Sequence, residues 1–311
     1  MPALSDRNPP ALFRWLFFPV TMALGFTAAH HLWESGQNTS SVIGLASLVA
    51  IATIALCERI YPHRQDWATG KGDVPTDIAH NFVTGYALRE WLKIGILMSV
   101  VPFVAALSQR YGLALWPASL PMPLQVALAA VVSEFGGYWI HRIQHERDFF
   151  WRFHAVHHSP HRIYWLNAGR DHPLGMVLDY SGGALLLILC GAPAEPLVYF
   201  YVFESVMGLI QHANVRHDMG WLNYIFSSAV LHRWHHSDRI EEANSNYGSS
   251  LILWDLVFGT YYNPPGRDEG PERIGLVSLR EFPQRFWGAW TVPFRWAAIK
   301  RANGVLPSSG N

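Results

Sequence analysis

Charge is what this chain of 311 residues has least of: Asp, Glu, Lys and Arg make up 15% of it, against roughly 25% in a typical soluble domain. A shortage of that size argues against a water-soluble globule and for a chain in or on a bilayer. The balance is even, 23 basic against 23 acidic residues, so no overall field recruits nucleic acid. Cysteine is scarce as well. Cys57 and Cys190 each end an apolar run, where a thiol behaves as a small hydrophobe, so a disulfide framework is excluded. No internal repeat or low-complexity tract is present, which excludes repeat architectures.

What is present in quantity is apolar and aromatic: half the residues are hydrophobic, with 14 Trp, 12 Tyr and 17 Phe. Apolar runs at 13–33 and 41–57 approach the ~20 residues that cross a hydrocarbon core. A polar stretch at 58–77, rich in Pro and Gly, reads as a loop with short surface helices. A third span is expected at 94–107, with a start as early as Phe82 and with Arg89, Glu90 and Lys93 near the interface. A fourth, 124–140, runs directly into His141. Runs at 174–190 and 196–210, broken at 191–194, form a hairpin that crosses or dips into the bilayer; beyond Gln211 no span is expected. The N-terminal run lacks a clear small-residue cleavage site and is read as a retained helix.

Cytoplasmic loops collect Lys and Arg, and this layout puts 22 of the 23 basic residues on one side together with every histidine-rich segment. The expected fold is therefore all-α: a polytopic integral membrane helical protein with a cytoplasmic, histidine-rich metal-binding cap. Three regions follow: an N-terminal transmembrane region at 1–132, a catalytic region at 133–265 and a C-terminal cytoplasmic tail at 266–311.

The 16 histidines are the unusual feature of a chain otherwise sparing with ionisable groups. His141 and His145 stand one helical turn apart. His154, His157 and His158 form His-x-x-His-His, and His232, His235 and His236 repeat it. On a helix the first and second histidines of that pattern are expected to share a face, with the third about 100° away and free to reach another ion. Neutral imidazole suits zinc, copper, iron and nickel. Eight clustered histidines exceed the four ligands that close a structural zinc site, so two ions fit the count better. His172 and His212 fall at span boundaries beside the clusters and join the candidate ligands, whereas His161 and His217 read as solvated. His30 and His31 fall on the opposite side, and His63 and His80 are isolated.

The order His-x-x-x-His, His-x-x-His-His, apolar hairpin, His-x-x-His-His resembles the fatty acid hydroxylase superfamily, which includes sterol desaturases, over residues 134–262. Supporting strings are Tyr138-Trp139-Ile140-His141-Arg142, His157-His158-Ser159, Asn246-Tyr247-Gly248, Trp254-Asp255 and Phe258-Gly259-Thr260. The resemblance implies two iron ions at the cytoplasmic face, a site that zinc can also fill on purification, with dioxygen as co-substrate. It makes His141, His145, His154, His157, His158, His232, His235 and His236 the ligands, with His172 and His212 as additions and Asn214 near a metal-bound water. It also implies a lipid substrate, hydroxylated or desaturated.

Cleaving an aliphatic carbon–hydrogen bond needs an oxidant that side chains do not supply. No haem or flavin motif is present, so a separate electron-donor protein is expected. Carboxylates that could orient the rings are Glu134, Glu146, Asp171, Asp179, Glu204, Asp238 and Asp255, and Tyr164, Trp165 and Asn167 could line a lipid entrance. Two other readings compete. A metal transporter predicts ionisable groups at mid-membrane depth, and a zinc-stabilised non-catalytic protein predicts one inert ion.

Overall fold

The structure is a computed structural model describing residues 8–112, 115–267 and 270–306. The side chains of Arg89, Glu90 and Lys93 lie outside the described set. In chain order the helices are α1 (Ala11–Glu34), α2 (Thr39–Ile60), α3 (Gln65–Ala68), α4 (Val74–His80), α5 (Arg89–Tyr111), α6 (Met122–Glu146) and α7 (Asp148–His158). There follow α8 (Pro173–Cys190), α9 (Ala194–Gln211), α10 (Ala229–His235), α11 (Ile240–Ala243), α12 (Leu253–Phe258), α13 (Phe286–Thr291) and α14 (Trp296–Ala302). The expected all-helical class is what forms, with no strand among the described residues and only three isolated β-bridges.

Local chemistry explains where the long helices turn. Between α1 and α2 the chain reverses through Gly36, and the Asn38 side chain accepts from Ser41 N to start α2. Gly191, left-handed at φ 73°, ends α8 while Ala192 N donates back to Leu187 O, and Pro193 then precedes α9. Both reversals lie at the end of the bundle away from the histidines. At the histidine end meet the start of α1, the end of α2, the end of α6, the start of α8 and the end of α9. Asp218 N donates to Arg14 O, and Glu58 accepts from Trp165 N and Asn214 N.

By length and composition α1, α2 and α8 are able to cross a membrane. Their outward faces expose Leu16, Val20, Leu24, Leu45, Leu48 and Leu189. The segments read as the third and fourth spans are not among these three, and the third begins differently from that reading: a π-helical stretch, Asn81–Leu88, joins α4 to α5, and α5 then continues to Tyr111. The fourth continues past Ile140 as one helix to Glu146, which carries His141 and His145 out on the same rod.

One apolar core joins α1, α2 and α9 through Phe18, Val42, Ala46, Val202 and Val206. Another joins α6, α8 and α9 through Ala129, Leu187 and Phe200. Helices α6 and α8 cross so closely that a Cβ on Gly136 would collide with the Gly182 carbonyl, the small-residue contact that lets helix backbones approach.

Over the histidine end sits a cap, and two segments there differ from their sequence reading. The 58–77 stretch is not a surface loop: Trp67 and Asp77 are buried, Arg162 pairs with Asp73 at 2.6 Å and Arg170 with Asp77 at 2.5 Å. An ion pair buried this completely fixes geometry, because either charge alone would be unsolvated. Nor is the C-terminal stretch a loose tail. Leu279, Phe282, Val292, Trp296 and Ile299 pack on Ala155 and Val156 of α7, a patch that would otherwise face water beside the second histidine cluster.

Candidate metal centre

Nine histidines from four parts of the chain converge into two adjacent groups. The first contains His141, His145, His154, His158 and His235; the second contains His157, His212, His232 and His236; within each, the ligand nitrogens lie within 4.8 Å of one another. All nine are buried. The groups touch, with the His158 and His236 rings stacked at 4.2 Å and 18°.

Each His-x-x-His-His divides between the groups, but not as the helical spacing first suggests. In α7 it is His154 and His158, the first and third, that share a group, while His157 faces the other. In the second copy His232 and His236 go together and His235 turns away. At about 100° per residue, four residues overshoot a full turn by about 40° and three fall short by about 60°, so the i,i+4 pair is better aligned. His141 and His145 of α6 follow the same rule.

The outer nitrogens are held by protein acceptors. Nδ1 of His141 donates to Tyr247 O at 2.6 Å, that of His235 to Ser245 O at 2.8 Å, and that of His145 approaches Asn244 Oδ1 at 3.4 Å. One segment, 244–247, therefore orients three of the five rings in the first group. Its carbonyls face inward because Asn246 adopts φ 51°, a left-handed conformation that Asn tolerates better than most residues. The Asn246 side chain is fixed in turn by Leu231 O, Tyr262 O and Tyr262 N. Asp255 holds the same segment by accepting from Tyr247 N and Gly248 N, both at 2.8 Å.

In the second group, His157 Nδ1 donates to Arg170 O at 3.3 Å and His212 Nδ1 to Asn167 Oδ1 at 2.9 Å. Asn167 is itself set by donating to Arg162 O and accepting from Tyr164 N.

These tautomers leave lone pairs facing inward, and that arrangement suits a cation. Nε2 atoms approach one another at 3.2 Å (His157–His236), 3.0 Å (His236–His232) and 2.9 Å (His232–His212). A neutral imidazole carries one N–H, and His157 and His212 already spend theirs on the outside. At most two protons remain for three contacts, so hydrogen bonding alone cannot satisfy the set. Two nitrogens about 2.1 Å from one ion and about 90° apart would lie about 3.0 Å from each other. In the first group His141 and His154 approach at 3.0 Å and His158 and His235 at 3.2 Å, while His145 Nε2 is buried with no partner at all. Burial keeps the rings neutral and ready to ligate: it pushes His157 down to about 3, and His154, His158, His212, His232, His235 and His236 well below the ordinary histidine range.

His172 joins neither group. Its Nδ1 accepts from Leu174 N at 3.1 Å, capping α8, and its Nε2 donates to Trp290 O at 3.2 Å, so both nitrogens are engaged in tying α8 to α13. His217 is buried rather than solvated, donating to Val215 O, and His161 is exposed; both lie outside the groups. His80 contacts Asp171 O and Phe286. Asn214 faces away from the histidines, accepting from Arg64 N and donating to Arg64 O.

Of the seven carboxylates expected near the rings, Asp171 and Asp179 reach them: Asp171 lies 3.7 Å from His157 Nδ1, and both group with His154. Glu146 pairs with Arg142 and Asp238 with Arg273. Glu134 binds Ser249 N, Ser250 N and Leu251 N. Tyr164 donates to Asp77 rather than lining an entrance, and Asn167 serves His212. Glu58 escaped the sequence reading. A lone acid at the end of an otherwise apolar helix was the available signal.

Fold and site together define a helical protein with two abutting histidine groups, each able to hold a metal ion, at one end of helices able to cross a membrane. Comparison with known proteins agrees. The fatty acid hydroxylase profile matches residues 126–260. An ornithine lipid hydroxylase of Rhizobium tropici is 37% identical over 251 residues, which are 80% of this chain and 76% of that protein. An alkylglycerol monooxygenase of Danio rerio is 28% identical over 58% of this chain and 42% of its own length. A very-long-chain aldehyde decarbonylase of Oryza sativa subsp. indica is 29% identical over 60% of this chain and 73% of its own. No solved structure matches. The chain belongs to the fatty acid hydroxylase family.

Proposed function

We propose that this protein is a membrane-bound di-iron oxygenase that hydroxylates or desaturates a lipid. The observation that carries the reading is the pair of abutting histidine groups, whose inward lone pairs no protein donor set can satisfy. Neutral imidazoles suit iron, zinc, copper and nickel; iron is assigned because the reaction demands a redox metal and because the relatives are named as oxygen-inserting enzymes.

When bound, the two ions supply the reductive activation of dioxygen. Hydroxylation then converts a carbon–hydrogen bond to a carbon–hydroxyl and the second oxygen atom to water, consuming two electrons and two protons. The electrons come from a separate donor protein. The chain's own part is geometric. Tyr247 O, Ser245 O, Arg170 O and Asn167 Oδ1 fix ring orientation, while Asp171 and Asp179 place negative charge against the histidines. Chains crossing the bilayer with the histidine end in the cytoplasm account for the distribution of Lys and Arg.

Lipid mass spectrometry of cells with and without the protein tests the reading. A lipid species gaining one oxygen or losing two hydrogens is expected, present with the native protein and absent with His157→Ala or His235→Ala. Unchanged lipids in every comparison, or product formed by both variants, refutes it.

A further inference from the structure

Two aromatic side chains of the C-terminal segment point out of the protein: Trp287 of α13 is 72% exposed, and Phe294, seven residues on, is 79% exposed. The other side of the same segment is buried, with Phe286, Ala289, Val292 and Ile299 turned into the cap. A single exposed apolar side chain is ordinary, but a segment apolar on both faces calls for something to cover the outer one.

Position narrows the choice. His172, which caps α8, donates to Trp290 O at 3.2 Å, and its ring lies 6.4 Å from that of Phe294. Helix α8 is one of the three able to cross a membrane, so its first turn, where Leu174 is exposed, marks the level at which the chain passes from the bilayer surface into hydrocarbon. An indole is favoured at that level, because its ring is apolar and its N–H can stay wet. The apolar surface continues on neighbouring elements, through Phe149 at the start of α7 and Ile78 of α4, which packs on α13.

Charge narrows it further. Residues 282–306 carry Arg285, Arg295, Lys300 and Arg301 and no Asp or Glu, in a chain whose net charge is zero. Lys300 is taken by Asp148, while the three arginines are exposed. An open groove of about 730 Å³ beside Trp287, with Pro75, Thr76 and Arg285 among its walls, has no acid in its lining. Guanidinium groups around exposed indole and phenyl rings match a surface that offers phosphate oxygens above acyl chains.

We propose that residues 286–302 lie in the plane of the membrane surface, with Trp287 and Phe294 between head groups and acyl chains and with Arg285, Arg295 and Arg301 on the phosphates of anionic lipid. The inward face packs on Ala155 and Val156, so the docked segment holds α7, and with it His154, His157 and His158, at a fixed height over the bilayer. This rests on α8 crossing a membrane and not on the oxygenase reading.

Nitroxide labels on Trp287→Cys, Phe294→Cys and, midway along α8, Leu185→Cys test this, each in a full chain carrying Cys57→Ala and Cys190→Ala. The chain is reconstituted in vesicles of phosphatidylcholine or of an equal mixture with phosphatidylglycerol, and collisions with oxygen and with a water-soluble nickel chelate are measured. In the mixed vesicles the labels at 287 and 294 are expected to meet nickel roughly fivefold less often than a label on Glu241→Cys, an exposed residue of α11. Arg285→Glu combined with Arg295→Glu should raise their nickel contact several-fold in the mixed vesicles and little in phosphatidylcholine, at unchanged thermal stability. Labels at 287 and 294 as open to nickel as the one at 241, or indifferent to lipid charge and to both arginines, overturn the proposal. So does spin–spin broadening at 294, which would identify a second copy as the cover. With the label at 185 in hydrocarbon and those at 287 and 294 in water, this proposal alone falls; with all three in water, the membrane reading falls with it.

Discussion

The two histidine groups are built from the same motif and supported in different ways. The first takes four of its five rings from residues 141–158, on two consecutive helices, and adds only His235 from afar. The second has four rings, from α7, the end of α9 and the second His-x-x-His-His, and only the His232–His236 contact in it is local. Its orienting groups, Asn167 for His212 and Arg170 O for His157, lie in one short stretch and serve two of its rings, whereas the 244–247 segment serves three rings of the first. The lesson is that a repeated motif does not make equivalent sites. One group is largely local and has a ligand to spare, and the other depends on the tertiary fold and has none.

Removing one ligand from each group should expose that difference most strongly. With His212→Ala the second group falls to three donors, and affinity for one ion should drop by more than about 100-fold, leaving one ion per chain by elemental analysis. With His145→Ala the first group keeps four donors and the chain keeps two ions. Equal losses in the two variants would mean that the groups are not separately organised.

A smaller effect separates the supports. Asn167→Ala should weaken the second group by roughly 10–100-fold by freeing the His212 ring, and Asn246→Ala should do the same to the first by releasing the 244–247 segment. Metal titration of each variant checks this, and the comparison fails if either substitution weakens both groups alike.

The smallest effect belongs to the histidine outside the groups. His172→Ala removes a cap from α8 and a bond to Trp290 O, so thermal stability should fall by about 1 kcal/mol with metal content unchanged. Loss of an ion would return His172 to the ligand set.

Much of this was open to reading before any fold was known. Apolar runs bounded by Gly and Pro announced the long helices, since only an intact helix hides its backbone from hydrocarbon. Two copies of His-x-x-His-His announced metal, because the count exceeded one ion's need. What resisted reading was every partner that is a carbonyl oxygen: each residue carries one, so Tyr247 and Ser245 bear no mark of holding His141 and His235. Asn167 reads as lining a lipid entrance for a different reason: its side-chain oxygen finds His212 only because α9 ends beside it.

Spacing along the chain thus determined by itself which residues could ligate and that they would sit at the ends of apolar helices. Only the tertiary structure decided which histidine serves which group and why His172 serves neither. The reason is physical. Helical periodicity fixes a side chain's direction to within some tens of degrees, but which atoms meet it there depends on helices brought together from opposite ends of the sequence.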